Sequence, residues 1–314
     1  MEEIEKVNLI QILTLHFAEG LTQSEIARQF GVSNTIISRK INKGRKLGLV
    51  KYFFKDETAY TVNLERTLER QFSLQEVIVV PSFGKDLSMI EYEAAKAAAF
   101  YVTNNLHHLK SIGLTWGKAL WRFIQELPYQ DNKDLHIVPL CGGIGATNLE
   151  IHSNALSLEM ARHFSCNYSQ LYAPAITQSF DLKNQLSSLQ AIADILEKGR
   201  SVDLAIVGIG DITRASTMRE VGYLKKNSWD LLHSLGAVGD IGCMYFDNNG
   251  IEIQSKFNKK VVGITLSSLK NIKNVMAIAY GLQKKDAVLG ALKGQYINTL
   301  VIDSDLAAAI LTAN

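Results

Sequence analysis

The sequence predicts a two-part α/β protein, an N-terminal winged helix-turn-helix followed by a Rossmann-like, doubly wound sheet. Three observations predict it. The first sixty residues combine helical spacing, capping residues and concentrated positive charge. From Glu76 onward, short β-rich runs alternate with helical segments, the pattern of βαβ units around a mostly parallel sheet. The length, 314 residues, exceeds one small domain of roughly 150.

The opening segment, Glu3 to Glu19, places Ile4, Val7, Leu9, Ile10, Leu13 and Phe17 near helical spacing, with Gly20 where a left-handed cap would sit. Thr22 and Glu25 then form a capping-box signature that opens a short helix through Ile26, Ala27 and Phe30. Gly31 permits the positive φ of a tight turn, and the small Ala27 suits helices that cross closely around it. Ser33 is the expected N-cap of a third helix, with Ile37, Ile41, Gly44 and Leu47 facing inward.

The remaining surface of that third helix carries Asn34, Thr35, Ser38, Arg39, Asn42, Lys43, Arg45 and Lys46. Short polar side chains and an arginine near a helix start can reach base edges, while basic groups farther along meet phosphates. Together with Thr22, Gln23 and Ser33 these residues form a candidate surface for double-stranded DNA. The charge distribution agrees. Between Ile26 and Lys55 there are eight basic residues and no acidic one, which leaves the rest of a +2 chain at −6.

Leu49 to Phe54 reads as a strand, Lys55 to Thr58 as a turn and Ala59 to Val62 as a second alternating stretch, together a small wing. Leu64, Leu68 and Phe72 fall on one face of a connecting helix, which could pack on the following domain or on a second subunit. The expected organisation is therefore a DNA-binding head over residues 1–56, a linker helix over 57–75 and a ligand-binding, self-associating domain over 76–314.

In that last domain the expected strands are Val77 to Val80, Ser111 to Leu114, His136 to Leu140, Leu204 to Val207, Val261 to Ile264, Val275 to Ile278 and Thr299 to Ile302. Expected helices include Ser88 to Leu109, Gln185 to Gly199 and Lys285 to Leu292. Ligands collect at the carboxyl ends of such strands, so glycine-rich strand exits are the places to search. Four present themselves: Gly113 to Lys118, Cys141 to Gly145, Gly208 to Asp211 and Gly236 to Asp240. The first has a definite chemistry. Backbone N–H groups at a helix start make an anion site, with Thr115 as a hydroxyl donor and Lys118 as countercharge, and a phosphate fits there.

Other chemistries find little support. Neither glycine pair completes a G-x-G-x-x-G, since Thr213 and Asn148 stand at the third position, and no Walker A or G-x-S-x-G sequence occurs. His163 and Cys166 lack further ligands for a metal, and the three cysteines, odd in number and widely spaced, suggest buried reduced thiols. No cofactor is expected. An acidic N-terminus and the lack of a long apolar run favour a cytoplasmic chain without a membrane partner.

Several motifs in order now carry a resemblance: Gly20 to Ala27, Gln71 to Leu74, Gly113 to Lys118, Gly236 to Asp240 with Phe246-Asp247, Ala287 to Gly294 and Leu300 to Asp303. The chain resembles, over nearly its whole length, the SorC/DeoR-type family of bacterial sugar-responsive transcription regulators. The resemblance implies a C-terminal domain similar to the sugar-phosphate isomerases and deaminases, retained as a sensor. It also implies an effector phosphate held by Gly113, Thr115, Trp116, Gly117 and Lys118, and sugar hydroxyls bonded by Asp240. Lys284 would add positive charge, with Gly142, Gly143, Gly208 and Gly210 as close-approach backbone. Two departures stand out: Tyr280 where the family often has glycine, and Lys285 adjacent to Lys284, which leaves the alignment open by one place. Cys141 offers no amine for an imine, so binding should be noncovalent.

These readings converge on a non-enzymatic regulator of a carbohydrate-utilisation operon. Its partners would be operator DNA, a phosphorylated sugar and further copies of itself, as a dimer or tetramer. Two competing readings remain at this level: a sugar-phosphate isomerase or deaminase with an accessory DNA-binding head, which would need a base such as Asp211 or Asp240, and a structural DNA-binding protein with a vestigial fold.

Overall fold

Three helices open the chain: α1 (Glu3–Phe17), α2 (Gln23–Phe30) and α3 (Asn34–Lys46). The structure, a computed structural model, describes every residue except 1–2, 48, 51–57, 144–147, 214–216, 221, 223, 225 and 314, and gives Glu3, Ile4 and Lys6 by backbone alone. Leu9, Ile12 and Leu13 of α1 pack with Ile26 and Ala27 of α2 and with Ile37 and Ile41 of α3. Val7 and Ile10 face outward, so the inward stripe of α1 is narrower than its apolar spacing suggests.

The capping box is complete: the Thr22 hydroxyl accepts from the Glu25 N–H, and the Glu25 carboxylate accepts from the Thr22 N–H at 2.8 Å. Gly31 ends α2 in the left-handed region, φ +63°, and re-aims the chain into α3. Gly44 is buried because a Cβ there would stand 2.6 Å from a Leu13 methyl, so α1 and α3 cross with no side chain between them. Ser33 occupies the N-cap position of α3 without a side-chain cap bond. Leu47, expected inward, is 53% exposed because α3 ends at Lys46 and turns it out of the stripe.

α4 (Thr58–Phe72) corrects the wing. Ala59 to Val62, expected as its second strand, is the first turn of this helix, where Thr61, Leu64 and Leu68 form one buried stripe at helical spacing. Residues 51–57, which would carry most of the first strand and the turn, lie outside the described residues. Two units result, Met1–Ala59 and Tyr60–Asn314, so nearly all of the expected linker helix belongs to the second.

The second unit runs β1 (Glu76–Val80), α5 (Leu87–Asn105), β2 (Ser111–Leu114), α6 (Lys118–Gln125), β3 (His136–Pro139), α7 (Ser153–His163), β4 (Asn167–Tyr168), α8 (Phe180–Ser188), α9 (Gln190–Arg200) and β5 (Leu204–Gly208). It continues with β6 (Gly210–Asp211), α10 (Thr217–Glu220), α11 (Lys226–Ser234), β7 (Ala237–Ile241), β8 (Met244–Asp247), α12 (Leu266–Leu269), β9 (Val275–Ala279), α13 (Lys285–Lys293), β10 (Thr299–Asp303) and α14 (Ser304–Thr312).

Seven strands form one sheet in the order β1-β10-β9-β5-β2-β3-β4, with every pairing parallel. Such strands are buried on both faces, which accounts for continuous runs such as Val275–Ala279, all five of them buried. β6, β7 and β8 form a separate antiparallel sheet. Gly236 to Asp240, expected as a strand exit, is therefore mostly strand β7 itself.

Two further expectations change. Val261 to Ile264 is buried but makes only isolated bridges, Cys141 to Gly263 and Ile176 to Val261, because it threads between two loops. A short apolar run does not by itself distinguish that from a strand. The helix expected over Gln185 to Gly199 breaks at Leu189, φ −65° and ψ 127°, where Ser188 has turned its hydroxyl to the Gln185 carbonyl.

At the β1 edge, α4 supplies what a neighbouring strand would. The Glu65 carboxylate accepts from the Val79 N–H at 2.9 Å and Glu69 from the Val77 N–H at 3.2 Å, the two outward amides of a strand with no partner on that side. Burial raises the Glu65 carboxyl above its ordinary range, partly offset by the Val79 bond.

Candidate functional site

On the first unit the cationic helix α3 presents Asn34, Thr35, Arg39, Asn42 and Lys46 to solvent, with Ser38 half-buried among them. Thr22 and Ser33 are exposed and Gln23 half-buried. The Asn34 amide donates to the Ser24 hydroxyl at 2.9 Å, tying the start of α3 to α2. Ile36, 41% exposed beside Thr35, escaped notice in the sequence because a lone isoleucine reads as core; exposed on such a helix it is suited to contact a thymine methyl. Lys43 and Arg45 turn the other way. Lys43 pairs with Glu5 of α1 at 2.8 Å, and the Arg45 guanidinium lies 5.4 Å from the Phe17 ring centre.

On the second unit a cavity of about 310 Å³ opens at the carboxyl ends of β2, β5 and β9. Its wall includes Trp116, Gly117 and Lys118 from the β2–α6 turn, Gly208 to Asp211 from the end of β5, Asp240 from β7 and Tyr280, Gln283 and Lys284 after β9. Glu91 of α5, Met218 of α10 and Gly242 complete much of the remainder.

The β2–α6 turn brings a glycine, the start of a helix and a lysine together at the cavity. Gly117, φ +128°, caps α6 in a conformation that disfavours other residues. Beyond it, the first-turn amides of a helix have no partners within the helix. Lys118 stands at the same end, and its Nζ is 2.7 Å from the Glu220 carboxylate of α10, both side chains about half exposed.

Opposite, β5 runs through Ile209 directly into β6, so Gly210 pairs with Asp240. A Cβ at Gly210 would fall 2.1 Å from Asp240 Oδ1, so any larger residue would displace the Asp240 carboxylate. Asp240 is buried and accepts from the Cys243 N–H at 2.9 Å; burial pushes its carboxyl up to about 6. Lys284 donates from Nζ to the Ile209 carbonyl at 2.8 Å, and burial lowers its pKa against the pull of Asp211, Asp240 and Glu91.

Four of the expected ligand contacts are absent from the cavity wall. Thr115 is buried, and its hydroxyl accepts from the Gly208 N–H at 3.3 Å. Gly113 lacks a side chain to make room for Leu140, 2.6 Å from where its Cβ would be. Gly142 packs on the backbone of 173–175 and Gly143 bridges to Pro174, so their close approach is to the protein's own chain. Conversely, Glu91 and Gln283 line the cavity with no local motif to announce them; only the packing of α5 against the sheet brings Glu91 there.

A helix-turn-helix bearing a cationic helix, followed by a cavity with charged groups over a parallel sheet, defines a class: a DNA-binding protein with its own small-molecule receptor. Residues 56–312 match the family described as "Putative sugar-binding domain". The sorbitol operon regulator of Klebsiella pneumoniae is 28% identical over 318 residues, 99% of this chain and 100% of that protein. Transcriptional regulator LsrR of Escherichia coli (strain K12) is 30% identical over 312 residues, 98% and 95% of the two chains. A solved DeoR family transcriptional regulator from Listeria monocytogenes superposes with a TM-score of 0.75 at 36% identity, over 80% of this chain and 99% of that one. The full-length SorC structure from K. pneumoniae gives 0.76 at 28% identity over 99% of both.

The chain belongs to the SorC/DeoR-type family of transcriptional regulators with a sugar-binding domain. It is a transcription regulator and not an enzyme, as its relatives are named. Among the described residues no helix is long and apolar enough to cross a membrane.

Proposed function

We propose that this regulator binds operator DNA of a carbohydrate-utilisation operon through α3 and that a phosphorylated sugar, held noncovalently in the cavity, controls that binding. The observation that carries the reading is one cavity with two chemistries: amide donors and Lys118 at the start of α6 for a phosphate, and buried Asp240 for hydroxyls. Glu220 supports it, because its carboxylate occupies Lys118 as a phosphate would. Thr22, Gln23, Ser33, Asn34, Thr35, Ser38, Arg39, Asn42 and Lys46 supply the DNA contacts; Lys43 and Arg45 contribute after leaving Glu5 and Phe17.

Control follows from linkage. A ligand favouring one arrangement of a symmetric dimer or tetramer shifts the spacing of paired heads by its differential affinity and by nothing else. The test is a thermal-shift screen of the whole chain against sugar phosphates and their unphosphorylated counterparts. A bound ligand must stabilise the native state. The expected result is stabilisation by a phosphorylated compound, lost in Lys118→Ala, with ligand-free DNA binding retained; stabilisation by free sugars alone would remove the phosphate from the proposal.

A further inference from the structure

The charges around the cavity select among phosphorylated ligands. Its wall carries three carboxylates, Glu91, Asp211 and Asp240, against two ammonium groups, Lys118 and Lys284. The two lysines are not equivalent. Lys118 stands half exposed at the start of α6, where an arriving phosphate can replace Glu220. Lys284 is already committed, with Nζ on the Ile209 carbonyl and 5.5 Å from the Tyr280 ring centre, and all three wall carboxylates act on it electrostatically.

An anion therefore has one place to sit. A second anionic group on the same ligand would lie among Glu91, Asp211 and Asp240, in a recess where charges are screened less than in water. A hydroxyl meets the opposite situation, because an ionised carboxylate only accepts and forms a strong bond with an O–H donor.

Glu91 is the carboxylate best placed to discriminate. Asp211 accepts from the Thr213 N–H at 2.8 Å and Asp240 from the Cys243 N–H at 2.9 Å, so each has a backbone donor. Glu91 instead stands on the wall beside Tyr280, and the Arg122 Nε comes only to 3.9 Å, from a side chain that does not line the cavity.

We propose that the ligand carries one phosphate on a neutral, hydroxyl-rich body, and that Glu91 is a specificity-determining residue that rejects a second phosphate or a carboxylate. This rests on the phosphate site at α6 assigned above. Calorimetric titration of the full chain tests it, with hexose and pentose monophosphates, the matching bisphosphates and the matching phosphorylated aldonic acids.

The doubly anionic compounds should bind at least about tenfold more weakly than the preferred monophosphate. Glu91→Gln should narrow that gap severalfold, chiefly by raising affinity for the doubly anionic compounds, while affinity for the monophosphate falls modestly as a charged acceptor for its hydroxyls is lost. Arg122→Ala, outside the cavity wall, should widen it by leaving Glu91 without its distant countercharge. Bisphosphates binding as tightly as monophosphates would overturn the proposal and leave the phosphate site standing. A gap unchanged in both variants would overturn the role of Glu91. Binding of unphosphorylated sugars alone would overturn the phosphate site and the proposal with it.

Discussion

At the scale of single residues, charged groups of the cavity wall are already engaged by the protein itself. Glu220 on Lys118 is an exposed pair, of the kind worth roughly 0.2–1 kcal/mol, so removing it should favour an incoming phosphate by up to about fivefold. Glu220→Gln is expected to tighten binding of a phosphorylated ligand in calorimetry, and unchanged affinity would mean the pair does not compete. Asp240 makes a different statement. Its folded pKa of about 6 lies above the ordinary 3.8, so the native state holds the proton more tightly than the unfolded chain. The stability this group contributes is full below about pH 4 and lost as pH rises through about 6. Asp240→Asn keeps an acceptor for the Cys243 N–H and should make the melting temperature less pH-dependent between about pH 4 and 7; an unaltered profile would place the titration elsewhere. Legibility at this scale followed chemistry that is local in sequence. Gly117 and Lys118 lie on the cavity wall where a helix start announces itself, whereas Gly113 and Gly142 lie off it, because a glycine needed for internal packing looks the same in sequence as one at an open surface. Glu91 carried no signal at all, being brought in by tertiary packing.

Among the elements, α3 and α4 show what periodicity can and cannot decide. The inward stripe Ile37, Ile41 and Gly44 was legible, and so was the exposed cationic surface, but not the return of Lys43 and Arg45 onto α1. Arg39→Ala should weaken specific operator binding by about 1–3 kcal/mol if it reads a base edge, and Lys43→Ala should cost clearly less. Equal losses in gel-shift titrations would place both on phosphates. α4 was mistaken in its first turn because four alternating residues fit a strand as well as a helix, and only the longer stripe through Leu68 separates them. Its glutamates make it part of the sheet. Glu65→Ala leaves the outward Val79 N–H without its acceptor and should lower unfolding stability by about 1–3 kcal/mol in urea titration; a change under a few tenths would mean water replaces the carboxylate at no cost.

For the whole molecule, the parallel sheet was legible in order because strands buried on both faces leave continuous apolar runs, while two-residue strands such as β4 and β6 leave none. The two units differ greatly in core. Among the described residues the first is held by seven buried apolar side chains, the second by large clusters that include both Leu64 and Leu68 of α4. A fragment from Thr58 to Asn314 should therefore fold alone and keep its ligand-induced rise in melting temperature, whereas the head alone should be marginally stable. Where that fragment begins matters. Started at Glu76, it would lack the carboxylates that close β1 and would present the bare amides of Val77 and Val79 to any extended chain nearby. The helix that leads out of the DNA-binding head is thus also the protein's guard against aggregation, and a cut made at Glu76 would turn the receptor into a template for intermolecular strand pairing.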